Sequence, residues 1–241
     1  MTATPPQIVV ITAAGTGSRL QSDSGPPKPL LPLNGRPLIL RVLDRFVEAG
    51  ILEAIIVVGH RADEVREGVL ADGHPAKVSF VNNPRYRMSN GLSVLAAREA
   101  VGGRNFFLSM ADHVFDATLI AGLRTAPLPS NGLLLAVDRK LDQIYDEDDA
   151  TKVKTNGRVI LEISKTLASF DAVDTGLFAC TPALFERLSQ VAATRPDGDC
   201  TLSDGVKALA ASGLAWVHDI GDGRWQDVDT PGAAAHAARL F

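Results

Sequence analysis

Short apolar runs recur along the chain at residues 8–11, 54–58, 78–81, 106–110 and 133–137, separated by stretches with helical periodicity. Runs of that length, rich in β-branched and aromatic residues, predict buried strands. Their alternation with helices predicts an α/β fold with a largely parallel sheet. Between the first two runs, Leu38, Val42, Leu43, Phe46 and Val47 fall on one side of a helix, with Pro37 as its first residue and Gly50 as its stop. In the second half, residues 152–160 predict a hairpin, because Asn156-Gly157 can supply the two positive φ angles of a type I′ turn. Thr181-Pro182 and Thr230-Pro231 each pair an N-cap with proline at the first helical position. No repeat, heptad or low-complexity linker divides the chain, so residues 1–241 are expected to form a single domain.

Composition narrows the function classes. A chain of 241 residues that is 46% apolar can bury a sizeable core. Its net charge of −4 gives no support to binding nucleic acid, which calls for a basic face. Cys180 and Cys200 match neither a zinc spacing nor a redox pair. No apolar stretch approaches the ~18 residues of a membrane span. The first seven residues lack the charged and apolar regions of a signal peptide, so a cytoplasmic location is expected.

The first apolar run ends in Ala13-Ala14-Gly15-Thr16-Gly17-Ser18-Arg19, a loop whose bare backbone N–H groups can approach an anion. Arg19 adds a planar fork, and Lys28, between Pro27 and Pro29, adds a point charge on a stiff backbone. Two such cations suit a polyphosphate. A dinucleotide fingerprint would need glycine where Leu20 stands, and a Walker loop is absent. Two glycines alone fit an ordinary strand-to-loop turn; Lys28 shifts the reading toward a phosphate cradle. Lys28 is accordingly expected to meet phosphate charge rather than to hold the fold together.

This loop, followed by residues 27–39 (Pro-Lys-Pro-Leu-Leu-Pro-Leu-Asn-Gly-Arg-Pro-Leu-Ile), resembles the signature of the sugar-phosphate nucleotidyltransferases. The resemblance implies a Rossmann-like three-layer α/β/α sandwich with a mostly parallel mixed sheet and a small β-hairpin extension on the acceptor side. It also implies that Ala13, Ala14, Gly15, Thr16, Gly17, Ser18 and Arg19 hold the triphosphate of a nucleotide, with Lys28 near the transferred phosphate. Asn90, Gly91 and Ser93 stand where the superfamily recognises the base. An alternative is that the polar residues of this segment cap a helix.

Asp112 follows the run at 106–110 and so stands where ligands lie in open α/β sheets. Asp227 and Asp229 form a second acidic pair before the last helix. Magnesium takes one or two carboxylates plus substrate phosphates and waters, which makes Asp112 and Asp229, with Asp227 as the alternative, candidate Mg²⁺ ligands. The competing readings are a helix cap for Asp112 and a solvated turn for the pair. His113 is read as a hydrogen-bonding or structural residue, because a phosphate monoester acceptor, with a second pKa near ~6, needs no general base.

Residues 109–113, 136–140, 148–153, 172–178 and 217–231 resemble the CTP:inositol-1-phosphate cytidylyltransferases, and the match spans nearly the whole chain. The implied reaction is Mg²⁺-dependent transfer of cytidylyl from CTP to inositol 1-phosphate, giving CDP-inositol and pyrophosphate, with Arg19, Lys28 and Asp112 as catalytic residues. Asp149, Thr151, Lys165 and Asp174 are the expected acceptor-binding residues. Members can be fused to a membrane phosphatidyltransferase; a free-standing enzyme with a separate downstream partner of that type is implied here. A homo-oligomer stays open. The rival readings are a cytidylyltransferase for another phosphorylated alcohol or a phosphonate, phosphocholine among them, and a non-catalytic CTP sensor.

Overall fold

The computed structural model describes residues 2–17, 19–20 and 25–241. Its main sheet is built from β1 (Ile8–Ala13), β2 (Glu53–Val58), β3 (Lys77–Asn82), β4 (Phe106–Met110), β5 (Leu133–Asp138), β6 (Lys152–Asn156), β7 (Val159–Ser164), β8 (Ala172–Cys180) and β9 (Ala215–Asp219). Strands β3, β2, β1 and β4 lie side by side and parallel. The antiparallel β8 follows β4, and β5 and β9 complete that side, parallel to each other. The β6–β7 hairpin continues the sheet, β6 pairing with Ala172 and Val173 of β8, and β7 meeting β9 at Val159 and Trp216. Five strands, β8, β5, β9, β7 and β6, therefore close into a ring beside the parallel half.

Helices cover both faces, α2 (Ala62–Ala71) and the short α4 (Arg98–Val101) among them. Val9, Ile11 and Ala13 of β1 pack with Leu43 and Phe46 of α1 (Leu38–Glu48) and Ile120 and Leu123 of α5 (Ala117–Thr125). Ile8 and Val10 turn the other way, toward Leu92 of α3 (Asn90–Ala96), Leu184 and Leu188 of α6 (Ala183–Thr194) and Val206 and Leu209 of α7 (Leu202–Ala210). Burial on both sides is why these strands appear in the sequence as unbroken apolar runs. The expected three-layer α/β/α sandwich, with a mixed sheet and a hairpin extension, is the observed architecture. No described helix is long and apolar enough to cross a membrane. Cys180 and Cys200 are buried free thiols.

Local corrections follow from backbone geometry. Pro37 is extended, with ψ 140°, and pairs with Pro32, so α1 begins one residue later, at Leu38. Val47 is only half-buried, while Gly50 ends the helix at φ +79° as expected. At the β6–β7 turn only Gly157 has positive φ, and Asn156 stays in the ladder opposite Val159, so the turn is not type I′. The two positive φ angles occur instead at Asn34 (+49°) and Gly35 (+79°), which join Pro32–Leu33 to Arg36–Pro37. Thr230 caps α8 (Pro231–Leu240), its hydroxyl accepting from Ala233 N at 3.1 Å. Thr181 makes no such cap, because its hydroxyl donates to the Gly132 carbonyl.

Candidate active site

Parallel strands bring their carboxyl ends to one edge, and here β1, β4 and β5 deliver Ala14, Asp112 and Asp138 to a shared cavity of about 630 Å³. A smaller cavity of about 230 Å³ adjoins it, lined by Gly15, Gly17, Arg19, Lys28, Asp112 and Asp229. Gly17 is held at φ +64°, and a Cβ there would lie 2.7 Å from Lys28 Cβ. Glycine is therefore required for the lysine to cross the loop at that point. Beside Gly15 there is nothing within 4 Å, so its backbone faces open space. Ala13 lines the smaller cavity, Thr16 lines neither, and Ser18 lies outside the described residues.

Asp112 and Asp229 meet because a second ladder joins their segments. His113–Phe115 pairs with Trp225–Asp227, and Val228 N donates to Asp112 O at 2.9 Å. This excludes the helix-cap reading of Asp112, since a strand, not a helix, follows it. Lys28 Nζ donates to Asp112 Oδ2 at 2.5 Å and also to Asp229 Oδ1. The lysine side chain is 9% exposed, so it also ties two distant segments together, beyond the phosphate role expected of it. Arg19 reaches the second oxygen of Asp229 and, at 2.7 Å, Asp149 Oδ2. Asp149 is completed by Lys165 Nζ at 2.7 Å. One chain of alternating charge thus runs from the glycine loop to the hairpin.

The other expected residues distribute unevenly. Asp174 lines the cavity, and its Oδ1 accepts from Gly176 N at 2.7 Å. Thr151 contributes its carbonyl to Asp174 N at 2.9 Å. Asn90 and Ser93 line the cavity, but their side chains already have partners: Asn90 Oδ1 accepts from Leu202 N at 2.9 Å, and Ser93 Oγ from Asn83 Nδ2 at 3.0 Å. Gly91 is withdrawn from the cavity, where a Cβ would come within 2.5 Å of the Cys200 carbonyl. A base could meet Asn90 Nδ2 and backbone groups here.

Electrostatics follow burial. Desolvation opposes charge on both Lys28 and Asp112, yet their mutual attraction wins, raising the lysine above and holding the aspartate below its ordinary range. Burial pushes Asp174 up to about 6, only partly offset by the Gly176 amide. Asp227 is also pushed up by burial, although His113 opposes the shift. Carboxyl oxygens of Asp149, Asp227 and Asp229 lie within 4.8 Å of one another. Hard oxygen donors so grouped, beside an open phosphate-sized cavity, fit a small divalent cation in kind. Both candidates for the second ligand, Asp227 and Asp229, belong to this cluster; Asp112, the first expected ligand, does not, its carboxylate being bonded to Lys28 instead.

Two further residues, given no role from the sequence, shape the site. Asp138 holds Trp225 Nε1 at 2.9 Å and Lys140 Nζ at 2.8 Å. Asp199 clamps Ser89 through its amide (3.0 Å) and hydroxyl (2.8 Å), fixing the entry to α3. Asp138 carried two signals in the sequence, its place at the end of an apolar run, the position that also singles out Asp112, and its membership of the 136–140 segment that resembles the cytidylyltransferases.

Comparison with known proteins agrees with this geometry. A family model, the MobA-like NTP transferase domain, matches residues 9–202. A bifunctional IPC transferase and DIPP synthase of Rubrobacter xylanophilus is 35% identical over 92% of this chain and 49% of its own length. A CMP-5'-(3-aminopropyl)phosphonate synthase of Streptomyces rubellomurinus is 36% identical over 99% of this chain and 40% of its own. The chain thus spans about half the length, or less, of these curated relatives. The solved inositol-1-phosphate CTP transferase from T. maritima superposes with a TM-score of 0.87 at 23% identity, over 100% of this chain and 96% of that one, and shares the fold. With the family model covering most of its length, the chain belongs to the MobA-like NTP transferase domain family.

Proposed function

We propose that this chain transfers a cytidylyl group from CTP to inositol 1-phosphate, releasing pyrophosphate and forming CDP-inositol. The observation that carries the reading is the charge chain from Arg19 and Lys28 to Asp149 and Lys165, which sets a polyphosphate-suited loop and a polyol-suited wall around one cavity. The names of relatives at 35% and 31% identity support this acceptor class. An oxygen of the acceptor phosphate forms a bond to the α-phosphorus, the bond to the β-phosphate oxygen breaks, and pyrophosphate leaves with its electrons. The monoester is mostly dianionic at neutral pH, so no general base is needed. Lys28 and Arg19 offset charge that builds on the phosphoryl oxygens, and the fixed loop orients the reacting groups. Asp112 and Asp229, with Asp227 beside them, would hold a magnesium ion, which when bound supplies further charge neutralisation. Asp149, Thr151, Lys165 and Asp174 would receive the acceptor's hydroxyls and phosphate.

A second reading, an aminoalkylphosphonate acceptor, is favoured by one observation, the relative at 36% identity named for such a product. The carboxylates of Asp149 and Asp174 would then face an ammonium group. The test is pyrophosphate release from CTP, UTP, GTP and ATP, each with inositol 1-phosphate, phosphocholine or 3-aminopropylphosphonate, with and without Mg²⁺. CTP with inositol 1-phosphate should give the highest kcat/KM. Equal turnover with ATP would sink the cytidylyl assignment, and CTP binding without release in any mixture would mark a sensor.

A further inference from the structure

His113 is built into the wall of the large cavity more elaborately than a structural histidine requires. Its Nδ1 lies 2.8 Å from the Thr175 carbonyl and donates to it. That approach depends on Gly176, held at φ +76°, where any Cβ would overlap the imidazole. One face of the ring stacks on Trp225, with centroids 6.1 Å apart and planes inclined by 22°. The indole is fixed in turn: Asp138, itself buried at the end of β5, accepts from Trp225 Nε1 at 2.9 Å and from Lys140 N at 2.8 Å, and is ion-paired with Lys140 Nζ at 2.8 Å. Lys140 Nζ also donates to the Gly221 carbonyl at 2.6 Å, which pins the turn leading to Trp225.

The result is an imidazole held by a backbone carbonyl on one edge and an indole on one face, with its tautomer set by the bond at Nδ1. Among the described residues, Nε2 has no hydrogen-bond partner. The nearest Asp112 oxygen is 3.8 Å away, beyond hydrogen-bond reach. Asp112 is bonded to Lys28, so Nε2 lies at the junction between the phosphate-suited end of the cavity and the wall that carries Asp174. A group bound there is close to the transferring phosphate but belongs to the acceptor.

We infer that His113 Nε2 is a specificity-determining contact for the acceptor, hydrogen-bonding the hydroxyl on a ring carbon next to the phosphorylated one. The inference rests on the cytidylyltransferase reading above and adds a hydroxyl-bearing acceptor to its requirements. Asp138 and Trp225 act through the imidazole and are positioning residues. A site built to bond a hydroxyl penalises an analogue lacking it, because a buried polar group is then left unpaired.

The experiment is a cycle between protein and substrate. Wild-type protein and His113→Ala are assayed for pyrophosphate release with CTP, Mg²⁺ and either inositol 1-phosphate or its analogues deoxygenated at each carbon flanking the phosphate. In wild type, one of the two deletions should lower kcat/KM by about 10–100-fold. His113→Ala should lower it by a similar factor on inositol 1-phosphate while leaving the KM for CTP within about twofold, and the same deletion should then cost nothing further. His113→Gln, which places an amide at the reach of Nε2, should keep part of the discrimination and serves if the alanine variant does not fold. A deletion penalty that persists in full in both variants overturns the assignment to His113 while leaving the proposed reaction intact. No turnover of inositol 1-phosphate by wild type overturns the proposed reaction, and the hydroxyl contact with it.

Discussion

Replacing Lys28 by alanine separates its two roles. In the folded protein its ammonium is shared by Asp112, at 2.5 Å, and Asp229, with only 9% of the side chain exposed. Removing one partner of a fully buried pair costs about 3–5 kcal/mol. Here Asp229 keeps Arg19, and the Asp112 side chain is 26% exposed, so one partly solvated carboxylate is orphaned. The cost should fall to about 1–3 kcal/mol, and at about 2–4 °C per kcal/mol for a chain of this size Tm should drop by roughly 2–12 °C. Turnover should fall by about 10²-fold or more, in the range for losing one electrostatic stabiliser. The decisive variant is Lys28→Ala combined with Asp112→Asn, assayed by thermal unfolding and pyrophosphate release. It should regain most of the lost Tm and none of the turnover. Because the lysine holds Asp112 below its ordinary range, the stabilisation is present above that range and lost as pH falls through the depressed folded value. The Tm gap between wild type and Lys28→Ala should narrow accordingly in acid. An unrecovered Tm in the double variant, or a gap that widens in acid, refutes the ion-pair reasoning.

Asp174, with its carboxyl pushed up to about 6 by burial, keeps a proton in the folded state that the unfolded chain releases near 3.8. Stability should therefore fall as pH rises across that window, by up to about 3 kcal/mol, and level off above it; urea unfolding should show the decline in wild type and not in Asp174→Asn. Asn90→Ala removes the acceptor for Leu202 N at the start of α7, so it should lower stability by about 1 kcal/mol as well as weaken the preference for CTP over UTP; an unchanged Tm would contradict the capping role. Asp112→Asn and Asp229→Asn should each abolish pyrophosphate release, and their effects on Mn²⁺ affinity, read by titration of the metal alone, should combine sub-additively if the carboxylates share one ion. Full activity in Asp229→Asn alongside loss in Asp227→Asn would reassign the second ligand.

Those parts of the fold that were readable in advance are the parts buried on both faces. β1, β2, β4 and β5 each show an apolar run because helices cover them on either side, whereas β3, at the sheet edge, shows one although Val78, Phe80 and Val81 are only half-buried. β8 sits at the centre of the sheet but is interrupted by Asp174-Thr175-Gly176, and β9 carries Trp216 and His218 half-exposed, so neither stands out as a run. The interruption has a cause: Asp174 and Gly176 line the cavity, and chemistry has displaced the apolar pattern there. The misplaced type I′ turn has a different cause. The chain contains Asn-Gly at 34–35 and at 156–157, and the dipeptide alone does not say whether asparagine stands in the turn or in the ladder. A bulge between Lys154 and Thr155 sets the second register.

Within the site, Asp112 was legible from its place at a strand end and Arg19 and Lys28 from the glycine loop and the prolines beside it, whereas Asn90, Gly91, Ser93, Asp149, Thr151, Lys165 and Asp174 rested on the resemblance. What could not be found is the pairing among them. Asp112, Asp149, Asp227 and Asp229 surround Arg19, Lys28 and Lys165, so four carboxylates face three cations where a triphosphate is proposed to bind. These carboxylates occupy the cations much as phosphate oxygens would, and their charge holds the Lys28 ammonium above its ordinary range despite its burial. The same arrangement leaves an excess of negative charge toward an incoming polyanion. Bare triphosphate would be repelled at short range by Asp229 and Asp227 even as Arg19 and Lys28 attract it. A divalent cation arriving with the nucleotide reverses that balance, because it turns the surplus carboxylates from repelling groups into ligands. The acidic surplus is therefore what distinguishes this loop from a simple anion cradle, and it is the physical reason to expect nucleotide binding and metal binding to be coupled in this chain.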